Sequence, residues 1–445
     1  MNKEDFRQYM LCGHGRCFSV DGDELEKFRE TVLYGCLNDI SFDLQCEGSR
    51  GLFMYNLALQ YDDYNYFLQP AIEKFLSPEV CEDWHLINHL CDFIDYFASD
   101  YGDESAQQAI IEKYKQLYKL LMSLKWSVRA NNVSQCYEYI AITIMQNGTI
   151  KHTSKIFEDI GKFFIRRRRE SDDRLKREFL WFWDCTREKY GEKYITEELD
   201  ILSKDNTAIR RFKRVLFHEE EKSVIKRKNM SADDFIKLAE RNSVQRKDII
   251  LFRRAEIPEK MKVADTLIKE TDLNKKAELL KAFTISGNSF PTAPEVLIKY
   301  VDSDNKKLRE TAVEALLYIK AECVHDFAVK LLEKEFSINA VIMLIENYKH
   351  SDKENLIDIL NNITIDGDDE SGWHEIVRTI NNNIYEMPEE AVMFVYEKSM
   401  CSFCRESAVD ELIRRNLFTE EIKSECLMDC NSYIRKEAEN YESKL

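Results

Sequence analysis

Asp302-Ser303-Asp304-Asn305-Lys306-Lys307-Leu308-Arg309-Glu310-Thr311-Ala312-Val313-Glu314-Ala315-Leu316-Leu317 is the stretch that decides the fold class. A polar turn opens it, and Leu308, Ala312, Ala315 and Leu316 then fall at i, i+4, i+7 and i+8, one face of a 3.6-residue helix. The pattern returns at Cys404-Arg405-Glu406-Ser407-Ala408-Val409-Asp410-Glu411-Leu412. It returns again at Asp429-Cys430-Asn431-Ser432-Tyr433-Ile434-Arg435-Lys436-Glu437-Ala438. Each copy carries an apolar residue, then an arginine (Arg309, Arg405, Arg435), then an alanine three positions on (Ala312, Ala408, Ala438). A weaker copy at Asp205-Asn206-Thr207-Ala208-Ile209-Arg210 has Lys213 where the alanine belongs. The repeat arginines are expected to bond the aspartate of the preceding turn or carbonyls of the next repeat, a structural role.

Composition extends this reading to the whole chain of 445 residues. Only 13 glycines and 6 prolines occur. A β-sandwich, barrel or propeller of this length needs turn residues every 8–12 positions or so, which six prolines cannot supply. With 44% hydrophobic and 33% charged residues, the chain folds rather than staying disordered. One amphipathic helix pair cannot cover its own apolar face, so pairs must stack on their neighbours. Further helices are expected over Ala106 to Leu124, Val215 to Lys228 and Ala232 to Ala239, the last capped by Ser231. Gly287-Asn288-Ser289-Phe290-Pro291-Thr292-Ala293-Pro294 marks a repeat boundary.

The repeated turn, apolar-Arg pair and small alanine resemble the HEAT repeat, clearest over 263–445 and weaker over 195–262. Glu47 to Leu57 keeps Arg50, Phe53 and Leu57 at the right spacing but lacks the alanine. The resemblance implies an all-α, right-handed superhelical α-solenoid of HEAT-like repeats. It implies a concave face that binds protein, peptide or sometimes nucleic acid, and the expected function is a non-enzymatic scaffold or adaptor binding a protein partner there, with no cofactor and no metal. Three regions are expected: 1–160, a helical region with a Gly/Cys-rich cap turn; 161–262, basic helical repeats; and 263–445, the HEAT-like repeats.

The formal charge of −17 is unevenly spread, with nets of −11 over 1–150, +8 over 151–262 and −14 over 263–445. The basic middle carries the one functional lead with a mechanism. Phe163-Phe164-Ile165 runs into Arg166, Arg167, Arg168 and Arg169, followed by Arg174, Lys176 and Arg177, then Trp181-Phe182-Trp183-Asp184. Arg210, Arg211 and Arg214 follow, then Lys226-Arg227-Lys228. Arginines on one wall neutralise phosphates or carboxylates, and aromatics offer a stacking surface. Three readings stay open: an acidic protein partner, a nucleic acid, or a solvated face with Trp181 and Trp183 in the core and Asp172, Asp173 and Glu178 as intrahelical partners. Helical-repeat DNA glycosylases use a basic concave surface with Trp and a catalytic Asp. That likeness is one of residue type alone, and it makes a base-processing, nucleic-acid-binding enzyme the alternative function.

Six of the 13 glycines lie within residues 13–51, around the turn Cys12-Gly13-His14-Gly15-Arg16-Cys17. Cys12, His14, Cys17 and Cys46 form a conceivable zinc set, but Cys46 lacks the paired knuckle that structural zinc sites use. A Cys nucleophile with a His base, or an anion nest of backbone N–H groups with Arg16 and Arg50, are the other chemical readings. The plain reading is a cap loop over the first helix pair. Cys401, Cys404, Cys426 and Cys430 have zinc-like spacing, yet the register puts Cys404 in the core. His85 and His89 read as helix-packing residues, and Ile365 to Gly372 as an acidic loop whose spacing does not fit a calcium site. Phosphate-binding and nucleophile-elbow motifs are absent from the sequence. No apolar run is long enough to span a membrane, and thirteen irregularly spaced cysteines point to a reducing, cytoplasmic setting.

Overall fold

A computed structural model of the chain describes residues 1–125, 127–218, 230–363 and 370–441, the side chains of 44, 45, 370 and 371 excepted. Among the described residues the regular structure is helical, with no strand. No helix there is long and apolar enough to cross a membrane. Local chemistry sets the helix ends. Asp83, Asp103, Ser127, Ser171, Ser231 and Thr419 each accept a backbone N–H of the first turn of the helix they precede. Helix Ala232–Glu240 starts after Ser231, as its sequence predicts. The expected helix over Val215 to Lys228 is different. Val215 and Leu216 close helix Thr207–Leu216, and residues 219–229 lie outside the described chain.

The chain divides into two compact units. One comprises Met1–Ser223 with Met400–Ser402 and Thr419–Leu445; the other comprises Val224–Ser399 and Phe403–Phe418. In the first, an apolar core runs from Phe6 to Leu216. Helix Ile150–Arg166 lies along helix Thr207–Leu216, and Gly161 permits the approach: a Cβ there would stand 2.0 Å from the Ala208 carbonyl oxygen. In the second, helix Glu295–Val301 packs on Lys306–Leu316, and Glu322–Leu332 on Ile338–Glu346. Leu297, Leu308, Ala312, Ala315, Leu316, Val324 and Ala328 are buried there. The Gly287–Pro294 break falls between the short 3-10 turn Lys281–Phe283 and helix Glu295–Val301.

The repeated sequence has one repeated local structure. Asn206, Asn305 and Asn431 each cap a helix, their side chains accepting N–H groups of Ala208 and Ile209, of Leu308 and of Tyr433. Four residues on, Arg210, Arg309 and Arg435 reach back across the turn. They donate to the carbonyls of Ser203 (3.0 Å), Ser303 (2.7 Å) and Asp429 (2.6 Å). Arg405, fully buried, does the same to Ser399 at 2.8 Å. Arg435 thus meets the aspartate of its preceding turn through that residue's carbonyl, and the other three meet main-chain carbonyls at or beside the end of the preceding helix. The reason is geometric: a helix end leaves carbonyls unbonded, and a guanidinium one turn into the next helix is the nearest donor.

Candidate functional site

Two surfaces drew chemical readings from the sequence, and the structure treats their arginines in opposite ways. At the N-terminal turn, Cys12, His14, Cys17 and Arg50 are buried, Arg16 is partly buried and Cys46 is exposed. The turn is shaped by Gly13 in the left-handed region (φ 67°), which ends helix Lys3–Cys12. The C-terminal helix pair Glu420–Cys426 and Ser432–Asn440 packs against it. A Cβ on Gly15 would lie 1.8 Å from the Glu425 carbonyl oxygen, and the Cys430 N–H donates to the Gly13 carbonyl at 2.9 Å.

Both candidate anion-binding arginines are engaged inside this junction. Arg16 forks onto Glu425 (2.6 and 3.2 Å), donates to the Tyr9 hydroxyl at 2.7 Å and lies 5.0 Å from that ring's centre. Arg50 donates to the carbonyls of Leu11 (2.5 Å) and Met400 (3.1 Å) and pairs with the equally buried Glu47 at 3.2 Å. Burial alone would raise the Glu47 carboxyl. Arg50 and the Ser402 amide overcome it and hold the group below the usual range. Burial, then Cys12, push the Cys17 thiol well up, which opposes the thiolate a nucleophile needs. Among the described residues no group of three His, Cys, Asp or Glu side chains is placed to hold a metal ion. The chemistry present is that of a built joint.

The basic stretch is different. Helix Ile150–Arg166 ends where the arginines begin, and Asp172–Glu178 follows after Ser171. Arg166, Arg168, Arg169 and Arg177 are exposed and form no ion pair among the described residues. The other predicted members have internal duties. Arg167 donates to the Leu124 carbonyl at 2.5 Å and lies 5.4 Å from the centre of the Phe163 ring. Arg174 pairs with Glu170 at 3.6 Å, and Lys176 donates to the His218 carbonyl at 3.2 Å. Arg210 bonds its turn, buried Arg211 forks onto Asp172 (2.6 and 3.0 Å), and Arg214 approaches that carboxylate at 3.9 Å. Asp172 therefore bridges two helices, and Asp173 meets His218 at 3.5 Å; neither is the intrahelical partner expected. Lys226-Arg227-Lys228 lies outside the described residues.

Beside these arginines is a cleft of about 460 Å³ lined by Asn131, Ser134, Gln135, Glu138, Arg174, Arg177 and Glu178. Glu138 was not legible as a site residue; its only signal was a carboxylate on a core-facing position of helix Val128–Asn147. It is buried and accepts the Phe182 N–H at 2.9 Å, satisfying a first-turn donor of helix Leu180–Tyr190. Burial pushes its carboxyl up to about 8. Burial also pushes Glu178 up to about 7 against the pull of Arg174 and Arg167. Its Oε2 finds no hydrogen-bond partner among the described residues. Trp183 is buried, whereas Trp181 is 48% exposed, against the core placement expected of it, and its ring centre is 5.7 Å from that of Tyr139. Asp184 pairs with Arg187 on its own helix.

All thirteen cysteines are free thiols, with Cys404 and Cys426 buried. His89 is buried against the Gly35 carbonyl at 2.9 Å, and His85 faces Asp39 at 3.8 Å. Of the expected acidic loop, residues 365–369 lie outside the described chain, and 370–372 open helix Glu370–Asn382 in place of a loop. Comparison of the chain with protein-family models, curated proteins and solved structures gives no match.

Proposed function

We propose that this chain is a non-enzymatic binding scaffold, a HEAT-like right-handed α-solenoid, that takes an acidic protein partner on its arginine edge. One observation carries the reading: Arg166, Arg168, Arg169 and Arg177 are exposed without an ion pair among the described residues, in a chain whose other zones are net acidic. Guanidiniums held apart from internal carboxylates keep their forked donors for a partner's carboxylates. The solenoid part rests on the repeated asparagine cap and turn-locking arginine. Tagged protein recovered from its native cells should bring down one stoichiometric partner. The variant with all four arginines changed to glutamate should lose it while its melting curve stays in place. Recovery unaffected by the four changes would sink this reading.

A second reading rests on the exposed face of Trp181, three residues beyond Glu178, since a base stacks on such a ring. A gel shift with single-stranded DNA or RNA separates the two. Nucleic-acid binding through this edge falls steeply between ~50 and ~200 mM salt. The acidic-partner reading expects no shift at the lower salt.

A further inference from the structure

Helix Glu104–Ser123 buries Ala106, Ala109, Ile110, Leu117 and Leu121, and its register puts Lys113 on the same face. The lysine side chain is fully buried where the helical pattern asks for an apolar residue. Among the described residues no carboxylate answers it. Its Nζ donates to the Ser77 carbonyl at 3.0 Å and to the Cys81 sulfur at 3.3 Å, and it stands 5.7 Å from the centre of the Phe75 ring. Lysine is almost never fully buried without a paired charge, so a buried amine set against a thiol asks for an explanation.

The surroundings favour reaction between these two groups. Burial, against the pull of Cys81, holds the Lys113 amine below the usual lysine range, which raises the fraction in the neutral, nucleophilic form. Cys136, buried on helix Val128–Asn147, is the competing nucleophile. Burial, then Cys81, push its thiol up to about 12, and a protonated thiol attacks poorly. Cys81 itself belongs to the 3-10 stretch Pro78–Glu82, whose Pro78 and Glu79 are exposed. Cys81 keeps 5% of its own surface accessible, next to those exposed residues, which is where a small neutral oxidant reaches it.

The geometry points to Cys81 and Lys113 as a modification site, a thiol and an amine that hydrogen peroxide joins into a covalent cross-link. Peroxide passes one oxygen atom to the Cys81 sulfur, giving the sulfenic acid and water. The Lys113 Nζ lone pair then attacks sulfur. An S–N bond forms, the S–O bond breaks, and the departing hydroxide takes a proton from nitrogen to leave as a second water. Sulfur is oxidised by two electrons and one peroxide is reduced by two. With a second equivalent of peroxide the link keeps an oxygen, as S–O–N, and a third water is released. Either product ties the Pro78–Glu82 stretch to helix Glu104–Ser123. This site is independent of the arginine edge.

The test is peptide mapping by mass spectrometry of the reduced full-length protein, before and after dilute hydrogen peroxide. The expected result is a joined pair of peptides carrying Cys81 and Lys113. Its mass is their sum less two hydrogens, or that value plus one oxygen, with fragment ions placing the link on those two residues. Dithiothreitol should release it. Cys81→Ser and Lys113→Met should each abolish it, and Cys136→Ser should leave it. The inference is overturned by Cys81 recovered as sulfinic acid, by a Cys81–Cys136 disulfide in place of the link, or by Cys81 left unmodified while exposed Cys46 is oxidised. Where Lys113→Met fails to fold, the fragment ions of the wild-type link and its loss in Cys81→Ser decide the matter.

Discussion

Arginines meet two fates in this protein. Arg16 and Arg50 at the N-terminal turn are spent on internal carbonyls and carboxylates, with Arg50 only 2% exposed. Arg166, Arg168, Arg169 and Arg177 stand in solvent without an ion pair among the described residues. A run of basic side chains therefore says little by itself. What separates a joint from a docking edge is whether unsatisfied carbonyls or carboxylates lie within one side-chain length. At the turn, Gly15 lets the backbone meet the Glu425 carbonyl, and Gly13 leaves room for the Arg50 guanidinium.

That contrast is broken most severely at Arg50. Replacing it by methionine leaves the carbonyls of Leu11 and Met400 without that donor and strips Glu47 of its buried counter-charge. Losing one member of a buried pair costs about 3–5 kcal/mol, so urea melts should show a larger loss than any other single substitution at this turn produces. Gly15→Ala comes next. Its new methyl would sit on the Glu425 carbonyl, and forced overpacking against backbone costs up to ~3 kcal/mol. Hydrogen exchange should rise in helices Glu420–Cys426 and Ser432–Asn440 and stay unchanged in Ile338–Glu346, which belongs to the other unit. Equal loosening of all three would refute a local joint.

How much of this was legible follows the same line. The helical class, the Ser231 cap and the Gly287–Pro294 break are local, set by neighbours in sequence, and spacing reveals them. A link from the repeat arginine to its preceding turn was legible too, down to Asp429 for Arg435, but not the Ser303 and Ser399 acceptors, because an unbonded carbonyl has no signature in residue type. The purpose of Gly13 and Gly15 was hidden because, apart from Arg50 beside Gly13, the groups that crowd them come from residues 425–430, more than four hundred positions away. Glu138 and Lys113 are not legible because each interrupts an apolar face by a single residue, which periodicity alone treats as noise.

Titration sharpens the contrast, because buried Glu47 and Glu138 respond to pH with opposite signs. Glu47 is held below the ordinary carboxyl value, so its contribution is present at neutral pH and is lost as pH falls through the folded value. Glu138 is pushed up to about 8, so the folded state holds a proton that the unfolded chain has released. Stability therefore declines as pH rises from the ordinary glutamate range toward 8. Glu138→Gln should remove that slope, since an amide oxygen still accepts the Phe182 N–H. A tenfold difference in proton affinity between folded and unfolded chain is worth ~1.4 kcal/mol. Allowing for partial solvent access, the variant should gain roughly 1–2 kcal/mol over wild type at pH 9 and nothing at pH 4. Melting temperatures across that range measure it, and a gain independent of pH would reassign Glu138 to packing alone.

The smallest expected effect on stability is the most telling for function. Changing Arg166, Arg168, Arg169 and Arg177 together to alanine removes no internal ion pair among the described residues, and exposed positions of this kind shift stability by under ~0.5 kcal/mol each. The melting curve should barely move. Affinity for an acidic partner should fall, and its salt dependence should flatten, since those four charges carry the screened part of the attraction. A large loss of stability would mean that these arginines belong with Arg16 and Arg50 as parts of the fold. A stable variant with unchanged, salt-insensitive binding would move the docking surface elsewhere on the molecule.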